Sequence, residues 1–157
     1  MKRLLESAIL FIASILLIVL PLNLDCAAFG LYMEDGSYMG CHSIAIVLTI
    51  IGVVCALFVI VSFIANIRVL SYALNITITI LSAIGLLIVR GIISINFHMK
   101  TGHIVSMSGI CPHCHAANMA NVHNRFILIH TIILVIMLVI SIIGIVARFL
   151  RKNENER

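Results

Sequence analysis

Four apolar runs, each long enough to cross a bilayer, restrict what this sequence can fold into. A helix needs about 20 mostly apolar residues to span a hydrocarbon core roughly 30 Å thick, and in lipid the backbone must satisfy its own hydrogen bonds. The runs therefore predict an all-α fold, an integral membrane four-helix up-down bundle forming one domain over residues 1–157. The predicted spans are about 4–24, 43–67, 69–94 and 126–150, and the long loops are 25–42 and 95–125.

The low share of charged residues argues against a soluble domain. Only 10% of the residues are charged and 62% are apolar, whereas soluble domains average about 25% charged and 45–50% apolar residues. The formal net charge is +4, but the basic residues form no stripe and have no interleaved aromatics. Nucleic acid is therefore excluded as a partner, and the lipid bilayer is the predicted one.

The basic residues predict how the chain is oriented. Seven of the ten lie at the two termini or at the turn between the second and third runs: Lys2, Arg3, Arg68, Arg148, Arg151, Lys152 and Arg157. Arg90, Lys100 and Arg125 lie at or in the two loops. Because Lys and Arg favour the cytoplasmic side, we expect both termini in the cytoplasm and both loops outside.

The first run has two interpretations. Met1-Lys2-Arg3 resembles the basic start of a signal peptide, and Cys26-Ala27-Ala28 is an acceptable cleavage site. The apolar stretch is longer than the core of a typical signal peptide, which favours its retention as a membrane span.

Polar residues inside the spans are few. No Asp, Glu or Lys lies in the middle of a span, which argues against a self-contained pump or channel. Asn75, Thr79 and Ser82 share one helix face, and Gly52 and Ala56 form a small-xxx-small pair. These patterns predict helix–helix packing with polar contacts, with a ligand groove as the alternative.

Potential metal ligands concentrate in the outer half of the protein, which consists of the two loops predicted to lie outside and the ends of the spans beside them. All seven histidines map there: His42, His98, His103, His113, His115, His123 and His130. So do four of the five cysteines, Cys26, Cys41, Cys111 and Cys114, together with five methionines: Met33, Met39, Met99, Met107 and Met119. Cys55 alone lies in mid-membrane, where a cysteine is a small core residue.

The sharpest motif is Cys111-Pro112-His113-Cys114-His115, and three chemistries stay open for it. Two thiolates at this spacing can bind Zn²⁺ or Cu(I), with His and another loop's Cys completing the shell. The candidate metal ligands are Cys41, His42, Cys111, His113, Cys114 and His115. A reactive dithiol could instead carry thiol–disulfide exchange. The third alternative is that the cysteines form structural disulfides.

The first loop carries a resemblance to a known family. Met33-Glu34-Asp35-Gly36-Ser37, followed by Met39-Gly40-Cys41-His42, resembles a bacterial family of short four-span membrane proteins of unknown function. The resemblance covers most of the chain. Members of that family are often encoded near ABC-type export permeases, which implies a transport-associated accessory role.

A second resemblance is architectural. Vitamin K epoxide reductase-like enzymes also have four membrane helices, a loop cysteine pair and a C-x-x-C motif by the fourth helix. This resemblance implies Cys26 and Cys41 as the loop pair, Cys111 and Cys114 as the catalytic pair, and a quinone as cofactor. Two features depart from the pattern of those enzymes. Cys114 lies about a dozen residues before the fourth apolar run, whereas that family has the cysteine pair in the fourth helix itself, and this chain has no Trp for the family's Ser and Trp loop signature.

We therefore expect a metal-binding accessory or sensing subunit of a larger membrane assembly, without enzymatic activity. A membrane thiol–disulfide oxidoreductase is the alternative, and a disulfide-stapled structural subunit is the third possibility. Zinc and copper are the expected metals.

Overall fold

The computed structural model describes residues 2–24, 40–65, 68–93, 95–98, 104–107 and 120–155. Four helices account for most of them: α1 (Lys2–Leu24), α2 (Gly40–Ala65), α3 (Arg68–Val89) and α4 (Ala120–Asn155). Each contains an apolar segment of 19 residues or more that is long enough to cross a membrane. The four predicted helices are thus confirmed.

The helices pack as a ring in sequence order. α1 contacts α2 and α4, and α3 contacts the same two helices. α1 begins and α4 ends at one end of the bundle, where Glu6 meets Arg148; we call this the inner end, and the opposite one the outer end. Large side chains fill the centre, among them Leu17, Leu48, Ile78, Leu134 and Met137.

The outward faces of the helices are apolar. Ile64 is 76% exposed, Leu5 63% and Ile143 57%. A soluble protein would leave this surface in contact with water, whereas a bilayer takes it up without cost. The packing therefore agrees with a chain that contacts lipid along all four helices.

α3 ends earlier than its apolar run. The amide of Gly91 donates to the carbonyl of Ile88 at 2.9 Å, and that of Ile92 donates to the carbonyl of Leu87, also at 2.9 Å. Gly91 has a φ of 70°, a conformation that glycine adopts without a steric penalty. This pattern is a Schellman cap, and it stops the helix at Val89 although residues 92–94 are still mostly apolar.

The second long loop contains more regular structure than the sequence predicts. Strands β1 (Ile95–His98) and β2 (Ile104–Met107) pair antiparallel, with Phe97 opposite Val105. The alternation of Ile95 and Phe97 with polar residues, before Gly102, is a hairpin signal that an apolar-run criterion does not detect. α4 also differs from the prediction. It begins at Ala120, before the predicted start of the fourth span at residue 126, because a helix can continue past the lipid boundary.

Candidate functional site

The segments that carry the predicted ligands connect helices at the outer end of the bundle. α1 and α3 end there, and α2 and α4 begin there. Cys41 and His42 lie in the first turn of α2, and the His42 side chain is half-buried. Cys26, Cys111, His113, Cys114 and His115 lie outside the described residues, so the structure neither brings them together nor separates them.

The β-hairpin of the second loop contacts a helix of the bundle. β2 contacts α2, the helix that carries Cys41 and His42 at its start. His98 is the last residue of β1, and Met107 is the last residue of β2. One stretch of the second loop therefore lies against the helix that follows the first loop. Within the described ranges, however, no three His, Cys, Asp or Glu residues are grouped closely enough to hold a metal.

His130 is the histidine whose surroundings are best defined. Its side chain is fully buried in α4, and its ring packs against Phe126 at a centroid distance of 4.2 Å. Nδ1 lies 2.6 Å from the Phe126 carbonyl oxygen. A carbonyl only accepts, so Nδ1 carries the proton, and in the neutral ring Nε2 is left as an acceptor. Nε2 is buried and has no hydrogen-bond partner in the described part of the chain.

The sequence places His130 among the outer histidines, but His130 is not one of the predicted metal ligands. The available signal was its spacing: Phe126 lies four residues earlier, which places a backbone carbonyl and an aromatic ring beside the imidazole.

A second group of polar side chains lies at the inner end and joins three helices. We call Glu6, Ser71, Asn75 and Arg148 the inner polar cluster. Asn75 Nδ2 donates to Glu6 Oε1 at 2.7 Å, and Arg148 Nη2 lies 3.2 Å from the same oxygen. Arg148 Nη1 donates to the Ser71 carbonyl at 2.9 Å. One carboxylate oxygen thus receives donors from both α3 and α4.

Gly144 makes room for this arrangement. A Cβ at this position would collide with the Glu6 carboxylate and the Asn75 side-chain amide. A hydrogen atom there lets the carboxylate of α1 and the amide of α3 meet against the backbone of α4. Any larger residue would have to displace them.

Further hydroxyl contacts extend the polar contacts between helices. Thr79 Oγ1 lies 2.8 Å from Ser141 Oγ on α4, and Ser62 Oγ on α2 donates to Ser71 Oγ at 3.0 Å. The predicted polar packing face is therefore confirmed for Asn75 and Thr79. Ser82 is fully buried, but its hydroxyl has no partner among the residues described.

Cys55 agrees with the sequence interpretation. It is a free, fully buried thiol in α2, packed within the apolar core.

The fold and the composition of its helices together define a multi-pass membrane protein with four candidate spans. Comparison of the chain with protein-family models, curated proteins and solved structures finds no match. The two resemblances drawn from the sequence therefore stay predictions, and function has to be argued from this chain's own residues.

Proposed function

We propose that this chain is a metal-binding accessory or sensing subunit of a bacterial cytoplasmic membrane assembly. Its metal site is the outer head, by which we mean segments 25–42 and 95–125. The ligands are drawn from Cys41, His42, Cys111, His113, Cys114 and His115, and the metal is Zn²⁺ or Cu(I). The partner assembly is a membrane transporter, as the resemblance to the bacterial four-span family implies.

One observation carries the proposal: both ligand-bearing segments connect helices at the same end of the bundle. Each segment is attached to a helix at both of its ends, and all four of these helix ends lie at the outer end of the bundle. The contact between β2 and α2 also places part of the second segment beside the helix that follows the first segment. Sulfur and imidazole ligands so confined match what Zn²⁺ and Cu(I) select.

The distribution of charge supports an outward-facing head. The residues that favour the cytoplasm, among them Arg68, Arg148 and Arg151, belong to the inner end. A head on the opposite side would be exposed to the extracytoplasmic space. A subunit that senses an extracytoplasmic metal, or transfers it to a partner, requires this exposure.

The test is metal content combined with the thiol count. The purified full-length protein is analysed for zinc and copper, and its intact mass is measured with and without thiol alkylation. We expect bound metal, and we expect Cys114→Ser to abolish its retention and His115→Ala to weaken it. Cys55→Ser is the matched control, because this cysteine lies in the core of the bundle and its loss should leave metal content unchanged.

Acidification provides a second measurement. Metal-binding cysteines are thiolates and metal-binding histidines are neutral, so protons compete with the metal and affinity should fall as pH is lowered. A protein that holds neither zinc nor copper at neutral pH would overturn the proposal.

The sequence Cys111-Pro112-His113-Cys114 also supports a second candidate, a thiol–disulfide oxidoreductase that uses a quinone. Exchange passes through a mixed disulfide, so removing one thiol of the pair should trap a partner on the other. Cys26 and Cys41 would then form the loop pair. If all four outer cysteines are instead oxidised and unreactive, the structural-subunit alternative is correct.

A further inference from the structure

The buried Nε2 of His130 is a proton acceptor that the bundle leaves unused. The ring is fully buried, and its only hydrogen bond within the described ranges joins Nδ1 to the Phe126 carbonyl oxygen. Since Nδ1 carries the proton of the neutral ring, a further proton would bind at Nε2. The neutral imidazole therefore fits its surroundings with one N–H, whereas the imidazolium would need an acceptor for a second one.

The level of the bundle at which His130 lies is apolar. α3 and α4 run antiparallel and touch where Gly85 meets Leu134. Since both helices rise by the same amount per residue, one further turn brings Val89, the last residue of α3, level with His130. Val89, Leu134 and Phe126 all belong to the buried apolar core. A charge on the ring would therefore form in surroundings that do not solvate it.

Within the described part of the chain, no carboxylate lies near His130. The described carboxylates, those of Glu6 and Glu154, belong to the inner end. The outer half of α1, which packs against α4, has no titratable residue. Asp25, Glu34 and Asp35 lie outside the described residues. At the outer ends of the other helices, the charged and titratable residues are Arg90 just after α3, His123 and Arg125 on α4, and Cys41 and His42 on α2, the helix diagonal to α4.

A proton on Nε2 is accommodated only if the ring reaches water. Burying an unpaired charge in an apolar interior is far more unfavourable than burying a neutral polar group. Because α3 ends level with His130, separating the outer ends of α3 and α4 would expose the ring without unfolding the rest of the bundle. At the inner end the same two helices stay joined, since Arg148 donates to the Ser71 carbonyl.

We propose that His130 is an acid-sensitive switch that lets the outer ends of α3 and α4 pack together only while its ring is neutral. When the compartment at the outer end is acidified, Nε2 takes a proton from water. The two helix ends then separate, and the imidazolium reaches the solvent. The switch does not depend on the proposed metal site, because it uses residues of the bundle alone. The competing explanation is that His130 is a packing residue without a pH response.

The direction of the response follows from which state binds the proton. The closed bundle leaves Nε2 unprotonated, whereas the ring exposed in the open state takes up a proton as an ordinary histidine does, at about pH 6.5. Acidification below about pH 6.5 therefore favours the open state, by up to about tenfold per pH unit. Above that pH both states carry the same charge, and the equilibrium does not change with pH.

Hydrogen–deuterium exchange of the purified full-length protein in detergent measures this opening segment by segment. Exchange is compared at about pH 7.5 and about pH 5 and corrected for the pH dependence of the chemical step. Segments 84–93 and 126–134, at the outer ends of α3 and α4, should lose protection by about tenfold or more at the lower pH. Segments 71–78 and 141–148, in the inner halves of the same helices, should keep theirs.

Two substitutions of His130 test whether this residue causes the response. His130→Phe keeps an aromatic ring against Phe126, and His130→Gln keeps a side-chain N–H, but neither can take up the proton. Both variants should keep the outer segments protected at about pH 5. His123→Gln is the matched control, because it removes a titratable group two turns earlier on α4 and should leave the response unchanged. All three variants retain the proposed metal ligands, so acid release of a metal would affect them equally.

Four results would overturn the proposal. Protection of the outer segments in the unmodified protein could be the same at both pH values, or the His130 variants could lose it as the unmodified protein does. Acidification could instead increase protection, which would show that a carboxylate from outside the described residues pairs with the imidazolium. Loss of protection along the whole of α3 and α4, inner segments included, would show general acid unfolding and no switch at His130.

Discussion

Glu6 and Arg148 show how single residues connect distant parts of the chain. They lie near opposite ends of the sequence, yet their side chains meet at the inner end with about 19% and 18% of their surface exposed. Asn75 donates to the same carboxylate oxygen. With both charges largely removed from water, the pair is expected to matter more than an exposed one.

We expect Arg148→Met and Glu6→Gln each to destabilise the bundle by about 2 kcal/mol. This value lies between the roughly 0–1 kcal/mol of an exposed ion pair and the roughly 3–5 kcal/mol lost when one partner of a buried pair is removed. Unfolding in detergent micelles followed by circular dichroism measures the effect.

The double variant provides the control for this prediction. Because the two residues interact directly, the combined loss should be smaller than the sum of the single losses. Arg125→Met, at an exposed position of α4, should change stability little. Strict additivity of Glu6→Gln and Arg148→Met would show that the ion pair contributes nothing.

At the scale of the elements, close helix approach depends on small residues. A Cβ on Gly52 of α2 would come within 3.0 Å of the backbone of Leu17 and Ile18 in α1. Backbone atoms cannot move aside as a side chain can. The small-xxx-small pattern of Gly52 and Ala56 therefore corresponds to a real contact, since Ala56 is also buried.

We expect Gly52→Val to push α1 away from α2 and to lower the stability of the bundle, because small residues at such contacts allow the helices to pack closely. The control is Ala73→Val, which introduces the same valine side chain at an exposed, lipid-facing position. Both variants are compared by thermal unfolding in the same detergent. A Gly52→Val protein as stable as the Ala73→Val protein would contradict the close approach.

At the scale of the whole molecule, an even number of helices places the start of α1 and the end of α4 at the same end of the bundle. The basic residues predict that this inner end is cytoplasmic. Together these features predict that both long loops lie on the opposite side of the membrane.

This orientation predicts the outcome of cysteine labelling in intact cells. After reduction, a membrane-impermeant thiol reagent should modify Cys26, Cys41, Cys111 and Cys114 from outside. Cys55 is fully buried in the bundle and should stay unlabelled. Modification of the four outer cysteines only after the cells are permeabilised would reverse the orientation and remove the argument for an outward-facing head.

The sequence by itself determined the four helices and their order. Their length and apolarity leave a lipid-exposed chain no alternative to helices, because every backbone polar group must be paired within the segment. It also indicated the packing roles of Gly52, Asn75 and Thr79 through their helical spacing. These inferences are local, since a helix face and a span length are set by residues a few positions apart.

Only the tertiary structure decided which distant residues meet. Glu6, Asn75 and Arg148 come from three helices, and their contact depends on the register of packing and on the space above Gly144. The burial of His130 and the level of the bundle at which it lies depend in the same way on how α3 and α4 align. Packing against neighbouring helices fixes these relations, and spacing along one helix does not encode them.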